Sequence, residues 1–290
     1  MDLQTLKVFQ TVAKLDSISQ AARELQYAQS NITMKIQQLE AELQTTLFYR
    51  HNRGTALTAK GRMLLTYAEK IFHLIEETKS VMNDDQSPKG PLMIGSMETT
   101  AAVRLPVLFS KYLKNYPDVD LTLKTGSTKE NILGVLNYKL DGAFVAGPIA
   151  NMELIQKDVF EEELILVTNP VHSPIFTIED IQDETLLVFR PGCSYRERLE
   201  QWFRTEGACA KKMMEFGTLD GIIGCVTAGL GISMLPQSVV AKQITEGTLR
   251  QHQIPSSFSK VKTLFIYRKD KYLPSSLIKF INMMGYLRES

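Results

Sequence analysis

Residues 17–40 read SISQAARELQYAQSNITMKIQQLE. Two short segments with apolar residues at helical spacing flank a polar break at residues 26–29. In the second segment Ile32, Ile36, Leu39 and Leu43 step by four, three and four, which puts them on one buried helical face. The small pair Ala21-Ala22 lets another helix approach closely, and Leu25 with Ile32 and Ile36 would seal the joint. Such a joint suits a helix-turn-helix, whose second helix turns its early residues toward base edges in the major groove. Here those residues are Gln29, Ser30, Asn31, Thr33, Met34 and Gln37. Amide side chains pair with adenine, hydroxyls with several bases, and a thioether packs on the thymine methyl. The same polar residues would also suit the outer face of a helical hairpin that touches no DNA. This stretch alone leaves both readings open.

Upstream, Leu3, Leu6, Phe9, Val12 and Ala13 recur at helical spacing, and Ser19 predicts a cap for a short helix through Leu25. Downstream, TLFYRHNRGTALT (46–58) is rich in β-branched and aromatic residues around Arg53-Gly54 and predicts a small hairpin or wing. Thr58 predicts the cap of a long helix to about Met82. Along it Leu64, Ala68, Ile71, Ile75, Thr78 and Met82 alternate steps of four and three, a coiled-coil-like seam. The seam either packs on the chain's own first helix or pairs with a second subunit. NDDQSPKGP (83–91) reads as a hinge. Between Arg23 and Arg62 six Lys/Arg face three Asp/Glu, whereas residues 92–290 carry 22 of each sign. The positive excess thus sits on the N-terminal module, which is compatible with nucleic acid. Arg50, Arg53, Lys60 and Arg62 are the phosphate candidates, with Arg53 at a tip that can reach a minor groove.

From Pro91 the texture changes to alternating strands and helices. PLMIGS, VDLTLKTG, DGAFVAGP, ELILVTNP, LLVFRP, MMEFGT and TLFIYR read as strands. TTAAVRLPVLFSKYLKNY (99–116) reads as one helix, with further helices at residues 130–140, 195–206 and from Ser275. This alternation predicts a mainly parallel α/β sheet. Ligands on such sheets bind at the carboxyl ends of strands, beside helix starts. The candidates there are Ser96, Met97, Thr99, Thr100, Ser127, Thr128, Ala146 and Gly147, with Ser194, Tyr195, Leu219 and Asp220 from the later part. Hydroxyls and free N–H groups at a helix start suit a carboxylate or another small anion. Ordinary helix capping explains any one of them better, and only as a cluster do they point to a cleft. Arg104, Arg190 and Arg196 are the candidates for a positive charge.

Other chemistries find no motif. There is no G-x-S-x-G, P-loop or H-E-x-x-H, and the four histidines are scattered. Cys193, Cys209 and Cys225 form no CxxC, which argues against a metal site and a disulfide framework and fits a reducing cytosol. Cys209 and Cys225 read as buried; Cys193 precedes a helix start, where a thiolate is stabilised, and leaves a redox role open. No apolar run reaches the roughly 18–20 residues of a membrane span, and the start MDLQTLKVFQ lacks the pattern of a signal peptide.

Residues 1–43, followed by LFYRHNRGTALTAKGR (47–62), strongly resemble the N-terminal winged helix-turn-helix of LysR-type transcriptional regulators. The matching order is S-x-A-A-x-x-L, then Q-S-x-I-[ST]-x-x-I-x-x-L-E-x-x-L, then LF-x-R, then LT-x-x-G. AGLGISMLP (228–236) resembles a segment of the family's second lobe. The resemblance implies an α+β multidomain chain: a winged helix-turn-helix (1–57), a linker and dimerisation helix (58–82), the hinge (83–91) and a two-lobed α/β, periplasmic-binding-protein-like effector domain (92–290). Lobe I would be about 92–162 and 267–290, and lobe II about 163–266. It implies base contacts from Gln29, Ser30, Thr33 and Met34, phosphate contacts near Ser17, Ser19, Arg50 and Thr58, and a minor-groove contact at Arg53. It further implies no catalysis, no metal and no cofactor beyond a small-molecule effector. The partners implied are an inverted-repeat operator, a second copy in a homodimer or homotetramer seamed by Leu64, Ala68, Ile71 and Ile75, and RNA polymerase if the chain activates. The place implied is the cytoplasm, with no membrane. The rival reading is a free-standing small-molecule binder or enzyme whose helical N-terminus only oligomerises. Three positions depart from the family: Ala28 begins the recognition helix without a capping hydroxyl, Gln44 replaces a usual Gly, and Met34 replaces a frequent Arg. Met34 predicts a contact tolerant of thymine rather than dependent on guanine.

Overall fold

The computed structural model describes residues 1–51, 54–82, 87–269 and 273–287. The chain divides into two compact units, Met1–Asn83 with Asn137–Lys139, and Asp84–Leu136 with Leu140–Ser290.

The first unit contains α1 (Leu3–Leu15), α2 (Ile18–Glu24), α3 (Gln29–Glu42), a hairpin of β1 (Phe48–His51) and β2 (Gly54–Leu57), and α4 (Ala59–Met82). Asp2 starts α1: its carboxylate accepts the N–H and hydroxyl of Thr5, both at 2.8 Å, and these bonds hold it below the usual carboxylate range. The cap of α2 is Ser17, not Ser19. Ser17 Oγ accepts the Gln20 N–H at 3.3 Å, while Ser19 lies inside the first turn, its hydroxyl 3.1 Å from that of Ser17. Ala28 begins α3 with no side-chain cap, as its methyl requires. Leu6, Phe9, Val12, Ala21, Ile32, Ile36, Leu39, Leu47 and Ala68 form one core, sealed where the Phe9 and Phe48 rings meet at 5.3 Å.

Two side chains tie the hairpin to the helices. Glu40 Oε1 accepts the N–H of Leu47 at 2.7 Å and of Phe48 at 3.3 Å. Thr58 is buried; its hydroxyl donates to the Thr46 carbonyl at 2.8 Å and accepts the Gly61 N–H at 2.9 Å. Gly61 sits in the first turn of α4 against the Leu47 carbonyl, which a Cβ would meet at 2.2 Å.

The seam predicted on α4 is largely consumed inside this unit. Ala68 is fully buried, and Leu64 and Ile71 are half-buried against the same core. Ile75 is half-buried as well. Met63, Tyr67 and Leu74 are left exposed, at 54%, 58% and 48%.

The second unit opens with β3 (Gly90–Ser96), α5 (Glu98–Val103), α6 (Leu105–Asn115), β4 (Val119–Thr125), α7 (Thr128–Leu136) and β5 (Gly142–Ala146). It continues with β6 (Leu154–Thr168), β7 (Thr185–Phe189), α8 (Ser194–Thr205), β8 (Lys212–Phe216), α9 (Leu219–Thr227), β9 (Ser233–Pro236) and α10 (Gln237–Thr245). The closing elements are β10 (Arg250–His252), α11 (Ser256–Ser259), β11 (Lys260–Arg268) and α12 (Ser275–Met283), ending in a 3-10 turn. The single helix expected over residues 99–116 is broken between α5 and α6, because Pro106 has no N–H and sits in the first turn of α6. Gly90 and Pro91, read as hinge, already belong to β3; residues 83–86 lie outside the described residues.

The sheet is mixed rather than mainly parallel. β4, β3 and β5 run parallel, and β11 is antiparallel to both β5 and β6. The strand read as residues 163–170 begins much earlier: β6 is 15 residues long. Its first part pairs with β11 in the first lobe, and its last residues pair with β9 and β10 in the second. The second lobe's β7 and β8 are parallel, and Leu186 bridges Ile232 beside β9. Pairing along β5 places residues 263–266 in the first-lobe sheet, where the sequence had assigned them to the second lobe.

His252 closes the far side of this lobe. It accepts the Ile175 N–H at Nδ1 (3.2 Å), and its Nε2 lies 2.9 Å from the Thr168 hydroxyl. Thr168 Oγ1 donates to the Asn169 carbonyl, so Nε2 carries the ring proton. Burial, with Arg250 and His172 nearby, lowers its pKa to about 4.

Two predictions follow from these packings. Gly61→Ala, which in an open helix would gain about 1 kcal/mol, should instead destabilise the first unit by at least about 2 kcal/mol through the clash with Leu47; a denaturant midpoint equal to wild type would refute this. His252 is neutral in the fold but binds a proton when unfolded below about pH 6.5. Stability should therefore fall as pH drops from about 6.5 toward 4, by about 3 kcal/mol at most, with no further loss from this group below that. His252→Gln should flatten that part of the profile, and parallel wild-type and variant curves would contradict the assignment.

Candidate functional site

In the first unit the face of α3 opposite the core carries the candidate readers. Ile32, Ile36 and Leu39 point inward, while Gln29, Ser30, Met34 and Gln37 are exposed, Met34 at 50%. Asn31 and Thr33 are half-buried at the margin, and the Thr33 hydroxyl donates back to the Gln29 carbonyl at 3.0 Å. Ser17 and Ser19 lie half-buried at the start of α2. Thr58 contributes no free side chain, since both capacities of its hydroxyl are used within the unit. Arg53 lies outside the described residues, as does the side chain of Arg50. Lys60 and Arg62 are exposed at the start of α4, and Arg62 Nη1 reaches the Leu57 carbonyl at 2.8 Å.

The second unit holds a cavity of about 200 Å³ between its lobes. One wall comes from the start of α5 (Met97, Glu98, Thr99) and from the turn that joins β4 to α7 (Thr125 to Thr128, and Glu130). The other comes from the ends of β7 and β8 (Phe189, Arg190, Phe216, Gly217) and the start of α8 (Cys193, Tyr195). These are strand ends and helix starts, where free N–H groups gather. Some of those donors are already matched within the protein. Glu130 Oε2 accepts the N–H of Ser127 at 2.8 Å and its hydroxyl at 2.9 Å, bonds that hold the Glu130 carboxyl below its ordinary range. Ser127 in turn caps the Glu130 N–H at 3.2 Å, a reciprocal capping box. Glu98 Oε1 accepts the Leu219 N–H at 2.9 Å, joining α5 to the start of α9 across the lobes. Thr99 Oγ1 and Tyr195 OH meet at 3.2 Å, a second link between them.

The sequence candidates therefore separate. Met97, Thr99, Ser127, Thr128 and Tyr195 line this cavity. Ser96 and Thr100 are buried behind it, with Ser96 Oγ on the Met97 carbonyl at 2.9 Å. Ala146, Gly147 and Ser194 line a different cavity, which Thr128 shares. Leu219 serves through its N–H alone, and Asp220 lines neither. Of the three candidate arginines only Arg190 faces the cavity. Arg104 pairs with Glu162 at 3.0 Å, and Arg196 with Glu200 and Glu215 at 2.8 and 2.7 Å. Glu98, Phe189, Phe216 and Gly217 were missed. Glu130 was legible in part, since Ser127 and Glu130 have capping-box spacing.

Burial pushes the Cys193 thiol up, which opposes the thiolate expected from its place before α8. Cys209 is exposed rather than buried. Among the described residues no cluster of metal-binding side chains occurs, and no helix is long and apolar enough to cross a membrane.

The chain is similar to known proteins over nearly its whole length. Residues 3–62 match the family described as bacterial regulatory helix-turn-helix protein, lysR family, and residues 85–287 match the LysR substrate binding domain. The HTH-type transcriptional regulator GltR of Bacillus subtilis (strain 168) is 52% identical over 284 residues, covering 98% of this chain and 96% of the relative. An HTH-type transcriptional regulator of the same strain, YusT, described as uncharacterized, is 48% identical over 282 residues, covering 97% and 95%. The crystal structure of full-length CbnR complexed with its target DNA shares the fold, with a TM-score of 0.71 at 23% identity over 99% of this chain and 100% of that one.

The Glu98 link can be tested. Glu98→Ala leaves the part-buried Leu219 N–H without its acceptor, and should lower the unfolding free energy of the second unit by about 1–3 kcal/mol in denaturant titrations. A variant as stable as wild type would show that the bond contributes nothing.

Proposed function

The chain belongs to the LysR family of bacterial helix-turn-helix regulators, and on that premise we propose that α3 reads an inverted-repeat operator while a small molecule between the lobes sets the response. It is a DNA-binding transcriptional regulator with an effector-binding domain, and not an enzyme. The observation that carries the reading is the split on α3. Its apolar residues are spent on the core, leaving Gln29, Ser30, Met34 and Gln37 exposed together on the other side. Asn31 and Thr33 complete the base-reading set. Ser17, Ser19, Arg50, Lys60 and Arg62 hold phosphates, Thr58 supports them by fixing the start of α4, and Arg53 reaches a minor groove.

The effector is a small molecule, for which a carboxylate or another small anion fits Arg190 and the N–H groups at the start of α7. Glu130 already takes the N–H and the hydroxyl of Ser127 there, so an anion using them would have to displace it. Effector affinity must differ between two arrangements of the protein for binding to be transmitted. Residues 83–91 are the segment proposed to carry the signal.

The assembly is a homodimer or a dimer of dimers acting in the cytoplasm, with RNA polymerase a further partner if the chain activates. The exposed face of α4 (Met63, Tyr67, Leu74) is the better dimer seam, since Leu64, Ala68 and Ile71 serve the fold. Tyr67→Glu should make the protein monomeric in sedimentation and weaken operator binding, while leaving its unfolding transition in place. A dimeric Tyr67→Glu protein would exclude that seam. For DNA binding itself, affinity should fall steeply with salt, with a log–log slope of about −0.9 for each phosphate contacted. A flat salt response would rule out the proposed reader.

A further inference from the structure

A second cavity lies between the same two lobes, about 490 Å³ against about 200 Å³ for the first. The partition between them is the start of α7 pressed against Gly192. The Lys129 N–H points to the Gly192 carbonyl at 3.4 Å. A Cβ on Gly192 would meet Lys129 Cβ and Ser127 Oγ, both at 3.2 Å, and its φ of +90° favours glycine. Ser127 lines the first cavity, Lys129 the second, and Thr128 both.

The second cavity has its own chemistry. Arg198, on α8, faces it half-buried, and no carboxylate or hydrogen-bond acceptor meets its guanidinium among the described residues. Burial lowers the pKa of that guanidinium, so its charge is held at a cost that a partner would offset. Lys129 adds a second cation on the opposite wall, while exposed Glu197 is the one acidic residue in the lining, leaving a net positive rim. The rest of the lining includes Ile132, Leu133 and Ile149, which offer apolar surface rather than further donors.

We infer that this cavity is a second ligand site, separate from the proposed effector cavity, which takes an organic monoanion with an apolar body, its charge on Arg198 and Lys129 and its body on Ile132 and Leu133. An inorganic anion would satisfy the cations but leave the apolar wall in water, and an organic cation would meet the wrong charge.

Calorimetric titration of the full-length protein with hexanoate, inorganic phosphate and hexylammonium tests this. The titrations use the full-length Arg190→Gln protein, in which the first cavity has lost its cation: hexanoate should bind it saturably with a Kd on the order of 1 mM or tighter, and the other two should not. Arg198→Gln should weaken hexanoate by at least about tenfold. Leu133→Trp, a change at a side chain 48% exposed, should block the body without disturbing the fold. The inference is overturned if hexanoate does not bind the Arg190→Gln protein, if phosphate or hexylammonium binds it as well as hexanoate, or if hexanoate binding survives either Arg198→Gln or Leu133→Trp in that background.

Discussion

The second unit depends on one strand serving two sheets. β6 runs 15 residues, with one bulge at Val159 where the register with β11 shifts, giving its first part to β11 and its last to β9 and β10. A ladder cannot slip by one residue without turning every inward side chain outward. On each side of that bulge the register is fixed, and the two lobes are joined through one strand. Where β6 leaves one sheet for the other, the buried Glu162 carboxylate accepts from Arg104 at 3.0 Å and from Ser238 at 2.8 Å. A buried carboxylate is tolerated only when paired in this way, and here the pairing draws the end of α5 and the start of α10 toward the same strand.

Both interlobe cavities follow from that joint. The strands that end near it present helix starts to each other, and the protein fills many of the resulting donors itself. Glu98 takes the start of α9, and Glu130 takes the turn before α7. A cleft whose own carboxylates occupy its anion positions is poised between internal and external partners, because a bound anion competes against bonds already made rather than against water alone. Arg190 and Arg198 divide the positive charge between the two cavities, one on each side of Gly192.

In the first unit the economy is different. It is small, and its core is assembled from single turns of several helices, so side chains that a reader might assign to DNA or to a partner are needed inside. Thr58 is the clearest example: its hydroxyl closes the hairpin onto α4 and is used up in doing so. Ala68 is another, buried where a subunit seam was expected. What is left over on α3 and α4 is the functional surface, defined by exclusion from the core.

Local chemistry was legible without the fold. Helical spacing marked α1, α3 and α4, Thr58 marked a cap, and the missing hydroxyl at Ala28 marked its absence, because these effects reach only a few residues along the chain. The strand texture of the second unit and its ligand-bearing strand ends were legible for the same reason. Only the tertiary structure decided which face of α4 the core would claim, how far β6 would run, that Glu98 would meet Leu219 some 121 residues away, and that Arg198 would find no partner among the described residues while Arg104 and Arg196 found theirs. Those outcomes depend on pairings between distant segments, where many residues of the right type compete and local pattern carries no information about which pair will form.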